Sequence, residues 1–553
     1  MAATRHLTEV VSRLPRADRL LLIVLVAVSL GALLLGLAVG LLTGLARAGI
    51  IVADPDAAYR MLTVHGVTIF FYWLYLAQAA LLLAFAVTYT EGAHRLALAP
   101  VAWLGGILMT AGLTLSEIGA YFGEPLLYDG SPELVGESRR EAGLFYGGYL
   151  LLAAGLFAIA TAAIATALGP KFNGAVRGWS ALSFGTVAWA GLVMVSSVAA
   201  ANAFFPAALW AFDLGPAPAD HSTGWHILFH NMHYLPLMGV VLIWYALVRE
   251  LTGVASLLGE RFSKCVFALY LVFVPPTSLY HMFLDPNLAE PIRVLGSLLS
   301  LLIGIPTIAV FLIITVSLES HLRARGARGL FGWLGRLPWR DPAMSAIGMA
   351  VLNLAFGGVF AFVLIQEKLA ALLSDTFFVP GYFHFLTVGT VSLTLLGALS
   401  RLAPALVRGR LRAPGLLARL PYVVTAGVLV FGLAGTAAGL SGMPRRALEL
   451  DELAKGSAAW QTLSTVIALG SAIMAAALAA YVGGLAVSMV RAAESAAPTA
   501  SAAGEAPGSA AMQAAWTGPV SVAVLIGAMY AATALAFEVM RALPLLGPAG
   551  GGH

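Results

Sequence analysis

The feature that most constrains this chain is a succession of apolar runs, each long enough to cross a bilayer. A helix needs about 20 predominantly apolar residues to traverse ~30 Å of hydrocarbon, and the stretch 294–318 carries no charge at all. The runs are continuous rather than alternating. They therefore read as helices and not as the strands of a barrel. Thirteen spans are expected, near 20–46, 61–89, 99–122, 143–168, 179–207, 227–249, 264–284, 294–318, 342–366, 380–402, 420–442, 462–490 and 518–543. Of the 553 residues 60% are hydrophobic and only 10% charged, too few to cover the surface of a soluble protein of this length. The fold class is all-α integral membrane.

Several functions are excluded early. The single cysteine, Cys265, rules out an internal disulfide, an iron–sulfur cluster and a CxxCH haem attachment. The net charge of +4 resides in short loops and calls for no nucleic-acid partner. The first apolar segment is too long for a signal-peptide core and reads as the first span.

Lysine and arginine set the expected orientation. Arg5, Arg13, Arg16 and Arg19 precede the first span. Arg323, Arg325, Arg328, Arg336 and Arg340 follow the eighth, and Arg401, Arg408, Arg410, Arg412 and Arg419 follow the tenth. Alternate loops are poorer in these residues, and one is acidic, with Glu124, Asp129, Glu133, Glu137 and Glu141. The N-terminus is thus expected in the cytoplasm and the C-terminus outside. Three parts are expected: a transmembrane core over 1–491, a low-complexity cytoplasmic linker over 492–517 rich in Ala, Ser, Gly and Pro, and an additional span with its tail over 518–553.

Six of the eleven histidines fall on or beside spans. His65 stands near the start of the second span, His226, His230 and His233 at the start of the sixth, His281 near the end of the seventh and His384 near the start of the tenth. At about 1.5 Å per residue all six lie within a few turns of the outer face. A lone membrane histidine is most simply a core residue bonded to a neighbouring carbonyl. Four helices delivering imidazole to one level point instead to a cofactor, since imidazole is a preferred ligand of haem and copper. His65 and His384 supply one ring each from two helices at matched depth. His226 and His230 share a helical face, as do His230 and Tyr234, and His233 lies close to it.

At these same residues the chain resembles subunit I of the haem–copper oxidases, most closely the B-type branch. YRMLTVHGVTIFFYWLYLAQA (59–79) is similar to the family's low-spin haem helix, with His65 on its axial ligand. LYHMFLDP (279–286), IPTIAVFLIITVSLE (305–319) and GLFGWLGRLPWRDPA (329–343) resemble successive B-type signatures, and VPGYFHFLTV (379–388) resembles the span carrying two haem ligands, with His384 on the second. The resemblance implies a prokaryotic plasma-membrane subunit of cytochrome c oxidase that binds low-spin haem b. Its electrons would come from a subunit II-like partner or a periplasmic cytochrome c, with oxygen as acceptor.

The chain departs from the family pattern where oxygen chemistry would occur. His230 matches the first copper histidine, but the pair expected on the seventh span reads Tyr280-His281, and the high-spin haem ligand position is Tyr382. Tyr234 matches the tyrosine that oxygen-reducing members link to a copper ligand. Three readings stay open. The centre is catalytic, with Tyr382 as a phenolate ligand and His226 or His233 completing a copper site with His230 and His281. Alternatively the second haem and copper are lost, leaving a membrane cytochrome b that passes electrons between a periplasmic partner and quinone or another subunit. In the third, the fold serves as a haem-free transporter or scaffold.

Overall fold

A computed structural model describes residues 6–176, 178–219, 221–256, 258–275, 304–446, 458–490 and 515–542, with isolated positions between 291 and 302. Among them the chain is all helix, with no strand and an isolated β-bridge between Thr376 and Pro444. Among the described residues eleven helices are long and apolar enough to cross a membrane. They coincide with eleven of the thirteen expected spans. The expected sixth lies within the 32-residue helix His221–Thr252, and the expected seventh begins in Gly259–Phe273 and continues into residues outside the description. The expected linker falls almost wholly outside the described residues; the helix after it starts at Thr517.

Helix ends follow local chemistry that apolar patterning does not report. The second span begins at Pro55 rather than at 61, because Asp54 accepts a hydrogen bond from the Ala57 amide at 3.1 Å and Pro55 has no amide to satisfy. Asp341 does the same for Pro342–Leu364, capping the Ala343 amide and pairing with Arg401 at 2.5 Å.

Within the bundle, small residues set the distances between helices. Helices Ala99–Phe122 and Arg139–Phe172 meet through Gly105 opposite Gly155 and Gly112 opposite Gly148. A Cβ on Gly112 would lie 2.7 Å from the Gly148 carbonyl oxygen, which no relaxation of a side chain could relieve. In lipid, where helix association lacks a hydrophobic drive, such close backbone approach is the main source of packing energy.

Of these eleven, the two most enclosed are Pro55–Thr88 and Phe378–Leu406, with 94% and 83% of their apolar windows buried in the protein; the C-terminal span Thr517–Val539 has 6%. The helices bearing His65 and His384 therefore form the centre of the bundle, and the last span lies at its edge. Its N-terminus is nevertheless fixed. The buried Glu319 carboxylate accepts the amides of Trp516 at 3.2 Å and Thr517 at 2.8 Å while pairing with Arg323 at 2.7 Å, and Trp333 Nε1 donates to Thr517 Oγ1 at 3.0 Å.

Candidate functional site

His65 reaches its position because the first span has no side chains there. Gly36, Gly40 and Gly44 recur at four-residue spacing along Arg16–Arg47, and a Cβ on Gly40 would overlap the His65 ring. The cleared face brings His65 Nδ1 to 2.8 Å from the Gly36 carbonyl oxygen. A carbonyl can only accept, so Nδ1 carries the proton and Nε2 is the basic nitrogen. His384 has the same arrangement, with Nδ1 donating to the Pro380 carbonyl at 2.7 Å. Its ring packs against Phe431, with centroids 4.0 Å apart. A histidine whose Nδ1–H is held by a backbone carbonyl has the tautomer and orientation of a metal ligand through Nε2.

Both histidines stand at the same kind of backbone irregularity. Two residues after His65 the second span becomes a π-helix over Val67–Trp73, and directly after His384 the tenth becomes one over Phe385–Ser392. Such wide turns are rare and concentrate at functional sites. The two segments are joined across the core by Trp73 Nε1 donating to Ser392 Oγ at 2.9 Å.

One cavity is lined by both imidazoles, by apolar side chains of the first, second and tenth to twelfth spans, and by Arg47, Arg445 and Arg446. Sequence reasoning did not single out these arginines. The available signal was the pair Arg445-Arg446 in a loop expected on the outer side, where basic residues are otherwise scarce. Phe377 N donates to the Met443 carbonyl at 2.7 Å, and Arg47 Nη2 donates to the Arg445 carbonyl at 2.9 Å, fixing this loop over the cavity. Arg446 binds Asp129 at 3.0 Å; burial opposes its charge, but Asp129, Tyr128 and Asp375 outweigh that and hold the guanidinium above its ordinary value. Arg445 pairs with Asp375 at 3.1 Å, while its buried Nε has no partner among the described residues.

This residue set fits an iron porphyrin. Two Nε2 nitrogens are free of the Nδ1 hydrogen bonds and could ligate iron, apolar walls suit the macrocycle, and arginines suit its carboxylates. The other site residues read from the sequence are distributed differently. Tyr382 does not line the cavity; it packs in an apolar cluster with Val363, Leu364, Leu373, Phe378 and Ala536 of the last span. His226, His230, His233 and Tyr234 lie on the helix His221–Thr252, with side chains outside the described residues. Tyr280 and His281 lie outside the described residues altogether. His221, which precedes the expected sixth span, is the buried first residue of that helix, its Nε2 2.8 Å from the Asp129 carbonyl.

Comparison with known proteins agrees with this architecture. The family model described as "Cytochrome C and Quinol oxidase polypeptide I" matches residues 21–473. Cytochrome c oxidase subunit 1 of Thermus thermophilus is 30% identical over 244 residues, 43% of each chain. Cytochrome c oxidase polypeptide 1 of Halobacterium salinarum is 28% identical over 216 residues, 36% of this chain and 33% of that one. The chain thus aligns with less than half the length of either relative. A cryo-EM structure of a heme-copper terminal oxidase dimer is similar over 94% of this chain and 92% of its own, with TM-score 0.80 and 21% identity.

Proposed function

The chain belongs to the cytochrome c and quinol oxidase polypeptide I family, and from that premise we propose that it holds a low-spin haem b between His65 and His384 as the haem-binding subunit of a respiratory membrane oxidase. Family membership supports a multi-pass, oxidase catalytic-subunit-like role. The observation that carries the haem assignment is the pair of imidazoles on one cavity, each with Nδ1 committed to a carbonyl and Nε2 left basic.

When bound, the haem supplies one-electron carriage. The protein's part is to fix the two rings, exclude water with the apolar walls and place Arg445 and Arg446 where porphyrin carboxylates would need countercharge. The electron donor is proposed to be a subunit II-like partner or a periplasmic cytochrome c, with the C-terminus outside. Absorbance spectra of the purified native chain and of His65→Ala and His384→Ala, with pyridine-haemochrome quantitation of their haem content, test the assignment. Either variant is expected to lose the bis-imidazole spectrum, and an unchanged spectrum would refute it.

A second reading concerns the acceptor. Tyr382 standing where the family resemblance expects the histidine ligand of the second haem favours a chain without that haem, acting as a membrane cytochrome b that delivers electrons to quinone or another subunit. One haem and no copper per chain would support it; two haems and one copper would restore oxygen reduction, with His230 and His281 in the copper-type positions and Tyr234 as the catalytic tyrosine.

A further inference from the structure

Beside the loop that carries Arg446, three buried polar atoms have no hydrogen-bond partner among the described residues: Asp129 Oδ1, Tyr146 Oη and His221 Nδ1. They come from the loop between the third and fourth spans, from the helix Arg139–Phe172 and from the first residue of His221–Thr252. The three residues are 8%, 0% and 9% exposed, so each is at least nine-tenths buried. An unpaired polar atom in such surroundings is costly, and three in one place call for a common partner.

Packing brings the three side chains together. His221 Nε2 lies 2.8 Å from the Asp129 main-chain carbonyl oxygen. The His221 and Tyr146 ring centroids are 6.3 Å apart, and both rings pack on Phe204, at 5.7 Å and 6.0 Å. Gly130, next to Asp129, has φ +60°, and a Cβ there would stand 3.1 Å from the Tyr146 ring. Asp129 is also near enough for its charge to act on the Tyr146 phenol. The other Asp129 oxygen, Oδ2, is taken by Arg446 at 3.0 Å.

Counting hydrogens identifies the partner. A carbonyl oxygen only accepts, so His221 Nε2 carries the ring hydrogen and Nδ1 of the neutral ring presents a lone pair. The Asp129 carboxylate, paired with Arg446, also only accepts. The Tyr146 hydroxyl can donate. A ligand that donates twice and accepts once satisfies all three atoms, and water does so with its two hydrogens and one lone pair. A divalent cation would suit the two acceptors but would face the Arg446 guanidinium. Arg446 already neutralises Asp129, so the charge of the cation would be buried without a counter-ion.

We propose that Asp129, Tyr146 and His221 form a binding site for one internal water molecule, which donates to Asp129 Oδ1 and His221 Nδ1 and accepts from the Tyr146 hydroxyl. The water completes the solvation of a buried carboxylate. It also ties Asp129, and through it Arg446 on the cavity lined by His65 and His384, to the start of the helix that carries His226, His230 and His233.

Cryo-EM of the full-length chain in lipid nanodiscs, at a resolution that shows ordered water, tests the site together with elemental analysis of the same sample. The expected result is a density within hydrogen-bond reach of all three atoms and no metal in the sample. Tyr146→Phe removes only the hydroxyl. It should weaken that density and lower the melting temperature, because the water loses its donor. A phenol that bonds nothing predicts the reverse, since deleting a buried unpaired hydroxyl leaves stability equal or raised. An empty site in the wild type, a direct bond between Tyr146 and Asp129, a bound metal ion, or an unlowered melting temperature in Tyr146→Phe each overturns the inference. If Tyr146→Phe does not fold, the wild-type density decides alone. These readouts do not involve haem, so failure here leaves the haem assignment intact, and loss of that assignment leaves this site standing.

Discussion

The Tyr75 hydroxyl donates to the main-chain carbonyl of Met232 at 2.6 Å, joining the second span to the middle of the helix His221–Thr252. That carbonyl is the one left without a helical partner by Pro236, four residues on, which has no amide hydrogen. One side chain thus satisfies a gap that proline opens in another helix, beside the segment bearing His226, His230, His233 and Tyr234.

Removing this hydroxyl should expose the gap. Tyr75→Phe is expected to destabilise the folded protein by about 1–3 kcal/mol, the cost of a buried acceptor left unpaired. Pro236→Ala restores the amide, so the double variant should recover part of the loss. Thermal unfolding of the four proteins in detergent measures it, and simple additivity would show that the Tyr75 bond does not compensate for the proline.

The first span holds His65 by having no side chain at Gly40. Gly40→Ala places a methyl group in the imidazole and should cost about 1–3 kcal/mol through overpacking. Haem content should fall with it. Gly31→Ala, which meets nothing within 4 Å, is the matched control. Equal haem content in the two variants would contradict the proposed role of this close approach.

Arg445 and Arg446 should raise the reduction potential of a haem in this cavity, since positive charge favours the reduced state. Neutralising either to Gln is expected to lower the potential by on the order of 60 mV, corresponding to about 1.4 kcal/mol for one charge at this range. Redox titration followed by absorbance reads the shift. An unchanged potential in both variants would place the arginines away from the cofactor.

The C-terminal span depends on Glu319. Glu319→Ala leaves two amides unpartnered and Arg323 without its carboxylate, a loss of about 3–5 kcal/mol for a buried pair. Hydrogen exchange at Trp516 and Thr517 should accelerate while exchange in the second and tenth spans does not. Protection unchanged at Trp516 would show that the Thr517 hydroxyl, bonded to Trp333 and to the Leu330 carbonyl, holds the helix without Glu319.

The membrane class and eleven of the spans were legible in the sequence because hydrocarbon thickness imposes a length and a composition on each helix separately. The proposed ligands His65 and His384 were legible too. Each carries its depth in its own span, and both sit in runs similar to those of a known family. The copper-type positions read from the sequence at His230, Tyr280 and His281 stay proposals, because those side chains lie outside the described residues.

What only the tertiary structure decided concerns partners from distant parts of the chain. Gly36 supplies a carbonyl to His65 from another helix, Arg446 meets Asp129 across 317 positions, and Glu117 meets Thr68 across 49. Apolar periodicity records which face of a helix is buried, not what it is buried against. Helix register and rotation, set here by glycine contacts between backbones, determine which polar atoms meet, and no local stretch of sequence encodes that.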